Sequence, residues 1–159
     1  TLNDADAICR VHIASVRVLC ALDYTPAQIE AWVGRNVPEN YRKAMQYKGE
    51  TMFVAEIQGA IAGFSSLHRR EVCAIYVHPA CTRRGVGTRL LNAVEQAAIA
   101  RGIHTLRLDA SVTAIPFYTA QGYAVVERSR HTFWDGTAVP CAKMKKQLSS
   151  DGAASARFL

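Results

Sequence analysis

No two of the five cysteines (Cys9, Cys20, Cys73, Cys81 and Cys141) stand in a Cys-x-x-Cys pair. An odd count without paired spacing indicates neither a disulfide framework nor a zinc site, and the expected state is reduced thiols in a cytoplasm. Cys9 and His12 share a helix face, but two would-be ligands without a second pair read as packing residues. Also missing is any apolar run near the roughly eighteen residues of a membrane-spanning helix, which excludes that class of protein. The formal charge of +6 gathers on no helix face and no RNA-binding aromatic motif accompanies it, which argues against a nucleic-acid partner. No signal peptide, internal repeat or linker is visible in these residues. The chain opens at Thr1 almost directly on a helix, which predicts a further strand ahead of it. At 159 residues it suits one domain, placed at residues 1–148, with the small, polar, patternless stretch 149–159 as a loose tail.

What is present is arranged around Val77-His78-Pro79-Ala80-Cys81-Thr82-Arg83-Arg84-Gly85-Val86-Gly87-Thr88-Arg89-Leu90-Leu91. A strand-like apolar run ends at Pro79, two arginines and two glycines follow, and an amphipathic helix begins. Gly85 and Gly87 remove side chains where backbone must approach a ligand, and the first helical turn leaves unpaired N–H groups. With Arg83, Arg84 and Arg89 nearby, phosphate is the natural guest. The loop lacks the Gly-Lys-Ser/Thr of a Walker sequence and the third glycine and later acid of a dinucleotide fingerprint.

The rest of the chain alternates helix and strand patterns. Asn3 or Asp4 caps a first helix with Ile8, Val11, Val18, Leu19 and Leu22 on one face and Ser15 beside them. Thr25-Pro26 opens a second helix carrying Ile29, Trp32 and Val33 and closed by Gly34, and Pro38 to Tyr47 reads as a third. Strands are expected at Thr51–Ile57 and Ala60–Leu67 around Gln58-Gly59, and at Glu71–Val77, with Glu71, Cys73, Ile75 and Val77 on one face if alternation is unbroken. After the glycine-loop helix, which stops at Gly102, come a buried parallel strand at Thr105–Leu108 and a helix from Val112 to Gln121. A closing hairpin pairs Ala124–Arg130 with Ala138–Met144 around Asp135-Gly136.

Two motifs in this order resemble those of the GCN5-related N-acetyltransferase (GNAT) superfamily. The first is Arg/Gln-x-x-Gly-x-Gly/Ala, met here with Thr82 in the Arg/Gln place. The second is Asn-x-x-Ala-x-x-Phe-Tyr with a following Gly-Phe, met by Ser111, Ala114, Phe117, Tyr118, Gly122 and Tyr123, with Ser for Asn and Tyr for Phe. The resemblance covers nearly the whole chain. It implies a mixed α/β fold: a central, mostly antiparallel sheet with a splayed parallel strand pair, flanked by helices. It also implies acetyl-CoA as cosubstrate, held by the main chain of Ile75, Tyr76 and Val77 along the pantetheine arm. Arg83, Arg84, Gly85, Val86, Gly87 and Thr88 would lie at the pyrophosphate, with Ser111 and Tyr118 completing the cofactor site.

The implied reaction moves an acetyl group to a small-molecule or peptide amine by direct attack in a ternary complex. The alternative is a catalytically weak acyl-CoA sensor or partner-binding module on the same fold; no membrane partner is expected, and a homodimer is left open. Glu71 is the leading general base, with His78, His68, Asp109 or a water as alternatives. Tyr118 is the proton donor to the leaving thiolate, Phe117 being assigned to the core. Nothing identifies a base for Cys73 as an acetyl-carrying nucleophile, and His104, His131 and His12 look incidental. Tyr24, Trp32 and Trp134 would suit an apolar or aromatic amine, whereas Glu56, Glu71 and Asp109 would suit a cationic one; the sequence does not choose between them.

Overall fold

A computed structural model describes residues 1–149, so the expected tail lies, from residue 150 on, outside the described residues. Helices α1 (Ala5–Leu19), α2 (Pro26–Val33) and α3 (Pro38–Tyr47) precede strands β1 (Thr51–Ile57), β2 (Ala60–His68) and β3 (Glu71–Val77). Then follow α4 (Val86–Ala100), β4 (Thr105–Ser111), α5 (Ile115–Ala120), β5 (Ala124–Thr132) and β6 (Ala138–Gln147). The sheet order is β1-β2-β3-β4-β6-β5. Every neighbouring pair is antiparallel except β3 and β4, which are parallel. This is the mixed, mostly antiparallel sheet with one parallel pair that the resemblance implies.

Helices cover both faces. Below α4 and α5 lies a core that includes Leu67, Val72, Leu91, Val94, Leu106 and Tyr123. On the other face α1 and α3 bury Ile8, Val11, Tyr41 and Phe64, while α1 and α2 bury Val16, Tyr24, Ile29 and Val139. Each fully buried large apolar side chain contributes about 1.5–3 kcal/mol, so both layers are needed to hold the strands between them.

The face of α1 differs from expectation. Ile8, Val11, Ser15 and Val16 are buried, whereas Val18 is 59% exposed and Leu22 98% exposed. The inward stripe continues through Cys20 rather than Val18, and the helix ends at Leu19, so Leu22 falls in the following turn. Asp4 precedes α1 without capping it, because its carboxylate takes the N-terminal ammonium at 2.5 Å and the Thr1 hydroxyl at 2.9 Å. Thr25 and Gln28 form the reciprocal capping pair that opens α2.

In β3 the alternation is broken. Ser66 pairs with Ala74, but the next residue, Leu67, pairs with Val72, so Cys73 is an extra residue on β3. Such a bulge reverses which face the following residues present. Val72 and Ile75 both pack into the α4 core, while Ala74 and Tyr76 pack toward α1. Glu71, next to Val72, therefore shares the Tyr76 side and not that of Ile75 and Val77, correcting the unbroken pattern.

Two later elements also shift. β4 runs on to Ser111 because Asp109, Ala110 and Ser111 pair with Lys143, Ala142 and Cys141 of β6, a distant partner that local pattern does not reveal. The helix expected from Val112 to Gln121 is divided into a 3₁₀ turn at Val112–Ala114 and the short α5. The Ser111 hydroxyl accepts from the Ala114 N–H at 3.2 Å and fixes that turn.

Candidate functional site

β3 and β4 touch as a parallel pair at one register point, Glu71 opposite Arg107, where the Arg107 N–H donates to the Arg70 carbonyl at 3.0 Å. Beyond it they part. Main-chain groups at the far end of β3 are thereby left facing a gap, which an extended ligand can enter as though it were a strand. A cleft of about 470 Å³ occupies the gap. Its walls are Ile75, Tyr76 and Val77 of β3, the start of α4, and Ser111, Ala114 and Phe117 across from them.

The α4 end of the cleft is built for an anion. Gly85 adopts φ 75° at the N-cap, a conformation open to glycine and costly for most other residues. No side chain caps the helix and no acidic residue lies in its first turn, so the amides of Val86, Gly87 and Thr88 have no side-chain acceptor from the cap and meet no local negative charge. Gly87 lies under Phe117: a Cβ there would stand 3.4 Å from the Phe117 ring. Arg83, itself at φ 60°, lines the cleft, and Thr82 turns its hydroxyl onto the Pro79 carbonyl at 3.0 Å, closing the loop that precedes the helix. The donor set fits a pyrophosphate.

Of the residues expected at the cofactor, Ile75, Tyr76, Val77, Arg83, Gly85, Val86, Gly87, Thr88 and Ser111 line this one cleft. Arg84 and Tyr118 are not among its lining residues. Arg84 is exposed. Tyr118 is 6% exposed, with its ring centroid 5.2 Å from Phe117 and 5.7 Å from Tyr123. Burial raises its phenol pKa well above the usual value, and the Tyr76 hydroxyl adds to that shift. Phe117, assigned to the core from the sequence, lines the cleft, and Tyr118 is buried in the core cluster beside it. The 3₁₀ turn before α5 changes the rotational phase that a continuous helix would have imposed.

On the other side of Tyr76 is a second cavity of about 240 Å³, walled by Tyr24, Trp32, Tyr76, His131 and Phe133 and by the carboxylates Glu71 and Asp109. Tyr76 and Ser111 line both cavities and form the partition between them. Tyr24 and Trp32 meet edge to face at 5.5 Å, and Trp32 lies 5.9 Å from Phe133. Trp134, expected here, is 56% exposed and stacks under the Arg35 guanidinium at 4.1 Å; Phe133 takes its place. Glu56, on β1, is not among the residues that line the cavity. A third hollow of about 450 Å³ continues outward past Glu71 and Asp109 between Arg107, Glu127, Lys143 and Lys145.

Among the titratable groups, His78 is engaged locally, its Nδ1 accepting from the Ala80 N–H at 3.2 Å. Burial, with the nearby carboxylates of Glu50 and Glu71, pushes the Cys73 thiol up to about 11, so it is not a thiolate at neutral pH. His12 and His131 matter more than their positions in the sequence imply. His12 stacks on Tyr76 at 3.8 Å between centroids, its Nδ1 lies 2.8 Å from the Tyr41 hydroxyl, and burial pushes its pKa down to about 3. A neutral imidazole thus backs the partition residue. His131 lines the second cavity, brought there by a β5 that runs past Arg130, where the expected strand ends, to Thr132.

The family described as "Acetyltransferase (GNAT) domain" matches residues 20–148. YafP, an N-acetyltransferase of Escherichia coli (strain K12), is 31% identical over 128 residues, 80% of each chain. A GCN5-related N-acetyltransferase structure from Rhodopseudomonas palustris, whose description also reads "Aminotransferase, Class-II", is 32% identical with a TM-score of 0.86, covering 92% of this chain and 91% of that one. The PaiA N-acetyltransferase of Thermoplasma acidophilum, solved in complex with coenzyme A, has the same fold at 19% identity and a TM-score of 0.73, covering 93% and 95%. Motifs, splayed sheet and sequence similarity agree: the chain belongs to the GCN5-related N-acetyltransferase family.

Proposed function

We propose that this protein transfers the acetyl group of acetyl-CoA to a primary amine by direct attack within a ternary complex. The observation that carries the reading is the partition: Tyr76 and Ser111 line both the anion-ended cleft and the aromatic cavity, so guests in the two spaces meet at those residues. Holding two reactants across such a boundary supplies most of what this reaction needs. Acetyl-CoA, when bound, supplies an acyl group already activated as a thioester.

The chain's own groups do the rest. The amides of Val86, Gly87 and Thr88, with Arg83, hold the pyrophosphate, and the free edge of Ile75 to Val77 orients the pantetheine arm. Glu71 takes a proton from the amine as the N–C bond forms and the C–S bond breaks, with Asp109 the nearest substitute; both line the acceptor cavity. For the departing sulfur the proposed donor is Tyr118, which burial holds protonated; since Phe117 and not Tyr118 lines the cleft, the sulfur has to reach the phenol past Phe117. Direct attack is favoured over an acetyl-enzyme at the acceptor cavity because burial raises both thiols that line it, Cys73 and Cys141, and so disfavours their thiolates. Initial rates measured over a grid of both substrates should give intersecting reciprocal plots. Parallel plots, or a burst of CoA release without amine, would refute direct attack.

A further inference from the structure

We infer that the acceptor is a small arylalkylamine: a primary amine carried on a short linker from an aromatic ring, without a carboxylate of its own. This rests on the acetyl-transfer reading above and names the guest of the acceptor cavity.

The cavity's walls specify the ring. Trp32 stands between Tyr24 and Phe133, 5.5 Å and 5.9 Å away between centroids, and His131 meets Phe133 at 4.8 Å, so the inner end offers aromatic faces and edges. Its volume of about 240 Å³ lies below the ~300–1,000 Å³ of sites for drug-sized ligands, so the inner end takes a small ring system, with the larger hollow opening outward past Glu71 and Asp109.

Charge specifies the nitrogen. Glu71 and Asp109 line the cavity, and no Lys or Arg does so among the described residues. Neither carboxylate has an ion-pair partner within 4 Å among the described residues, although the chain carries a net +6. Lys143, opposite Asp109 on β6, is paired with Glu127 at 3.1 Å, while Arg107 and Lys145 line the outer hollow. An ammonium is attracted to this wall and an amino acid's carboxylate is repelled by it.

Size and hydrogen bonding disfavour a third class. The Tyr24 hydroxyl is committed to Val112 and Pro140 and the Ser111 oxygen accepts from Ala114, so beyond Glu71, Asp109, the Ser111 O–H and His131 the inner end of about 240 Å³ has few side-chain groups for an aminosugar's many hydroxyls. The ring therefore sits against Trp32 and Phe133, and the nitrogen sits by Glu71 and Asp109 at the Tyr76 partition.

The test compares 2-phenylethylamine, n-butylamine, phenylalanine, kanamycin and an alanyl peptide as acceptors, with CoA release as the rate readout. Calorimetry of each amine against the CoA complex gives a second readout free of turnover. Phenylethylamine should exceed the others at least tenfold in kcat/KM and bind with measurable heat where butylamine does not. Trp32→Ala, and independently Phe133→Leu in case the first misfolds, should raise KM for phenylethylamine roughly tenfold and that for butylamine distinctly less. Asp109→Asn should reduce the discrimination against phenylalanine. Better turnover of phenylalanine, kanamycin or the peptide, or equal losses for both amines in the aromatic variants, overturns the inference and leaves acetyl transfer standing. No turnover of any amine by a protein that binds acetyl-CoA overturns both.

Discussion

The Tyr24 hydroxyl accepts a hydrogen bond from the Val112 N–H at 2.7 Å and donates one to the Pro140 carbonyl at 2.9 Å. One phenol from the α1–α2 turn thereby ties the end of β4 to the start of β6, and the neighbouring Asp23 carboxylate accepts from the Thr113 hydroxyl at 2.6 Å. The turn clamps the wall that carries Ser111, next to the partition between the two cavities. Tyr24→Phe leaves a main-chain donor and acceptor without their partner, which should cost about 1–3 kcal/mol. Thermal melts should show that loss together with a raised KM for the amine, and near-normal CoA affinity, because the α4 terminus is untouched.

Gly87→Glu places a carboxylate at the anion end of the cleft, with its Cβ about as near Phe117 as packing allows. CoA binding measured by calorimetry should be lost while circular dichroism stays native. Retained affinity in a folded variant would remove the pyrophosphate from this helix terminus.

Glu71→Gln keeps the shape of the acceptor wall and deletes its proton acceptor. A fall in kcat on the order of 10²-fold is expected, with a flattened acid side to the kcat/KM profile. An unchanged rate would pass the role to Asp109 or water, and the corresponding Asp109→Asn variant separates those two.

Tyr118→Phe tests the donor. A phenol whose pKa is raised by burial gives up its proton less readily than a free one, so it assists the leaving thiolate mainly by hydrogen bonding. About a tenfold loss of kcat is expected, with unaltered CoA affinity. A drop in melting temperature without a kinetic effect would make Tyr118 solely a core residue.

His12 makes stability depend on pH. Its folded pKa of about 3 lies below the ordinary 6.5, so the unfolded chain binds the proton more tightly. Its contribution is full above pH 6.5 and declines as pH falls toward about 3, by at most about 5 kcal/mol in total. Melting temperature should therefore fall more steeply between pH 6.5 and 4 in the wild type than in His12→Gln, whose amide retains a partner for Tyr41.

Much of this molecule is legible from local chemistry. The Thr25-Pro26 helix start, the Gln58-Gly59 turn and the Gly85–Gly87 helix entry each depend on residues adjacent in sequence, and each is found where the sequence places it. What escapes reading is the register within a hairpin and the company a residue keeps from other elements. The register between β2 and β3 fixes the bulge at Cys73, and the β5–β6 pairing determines that Phe133, not Trp134, turns inward. Neighbouring aromatics at a hairpin tip look alike in sequence. His12 is equally mute, because a lone histidine on a helix becomes a supporting ring only when Tyr41 and Tyr76 arrive from other elements.

The unpaired residue in β3 gives one strand two parities. Upstream of Cys73 odd numbers face the acceptor; downstream even numbers do. Deleting Cys73 would leave a regular strand with Glu71 still at the acceptor and Val72 still beneath α4, whereas absorbing Cys73 into unbroken pairing would turn Glu71 into the apolar layer and Val72 outward. A slip of register at this place would thus be a double substitution in effect: it would take the base from the reaction and put an unpartnered charge into the core, with no coding change at either residue.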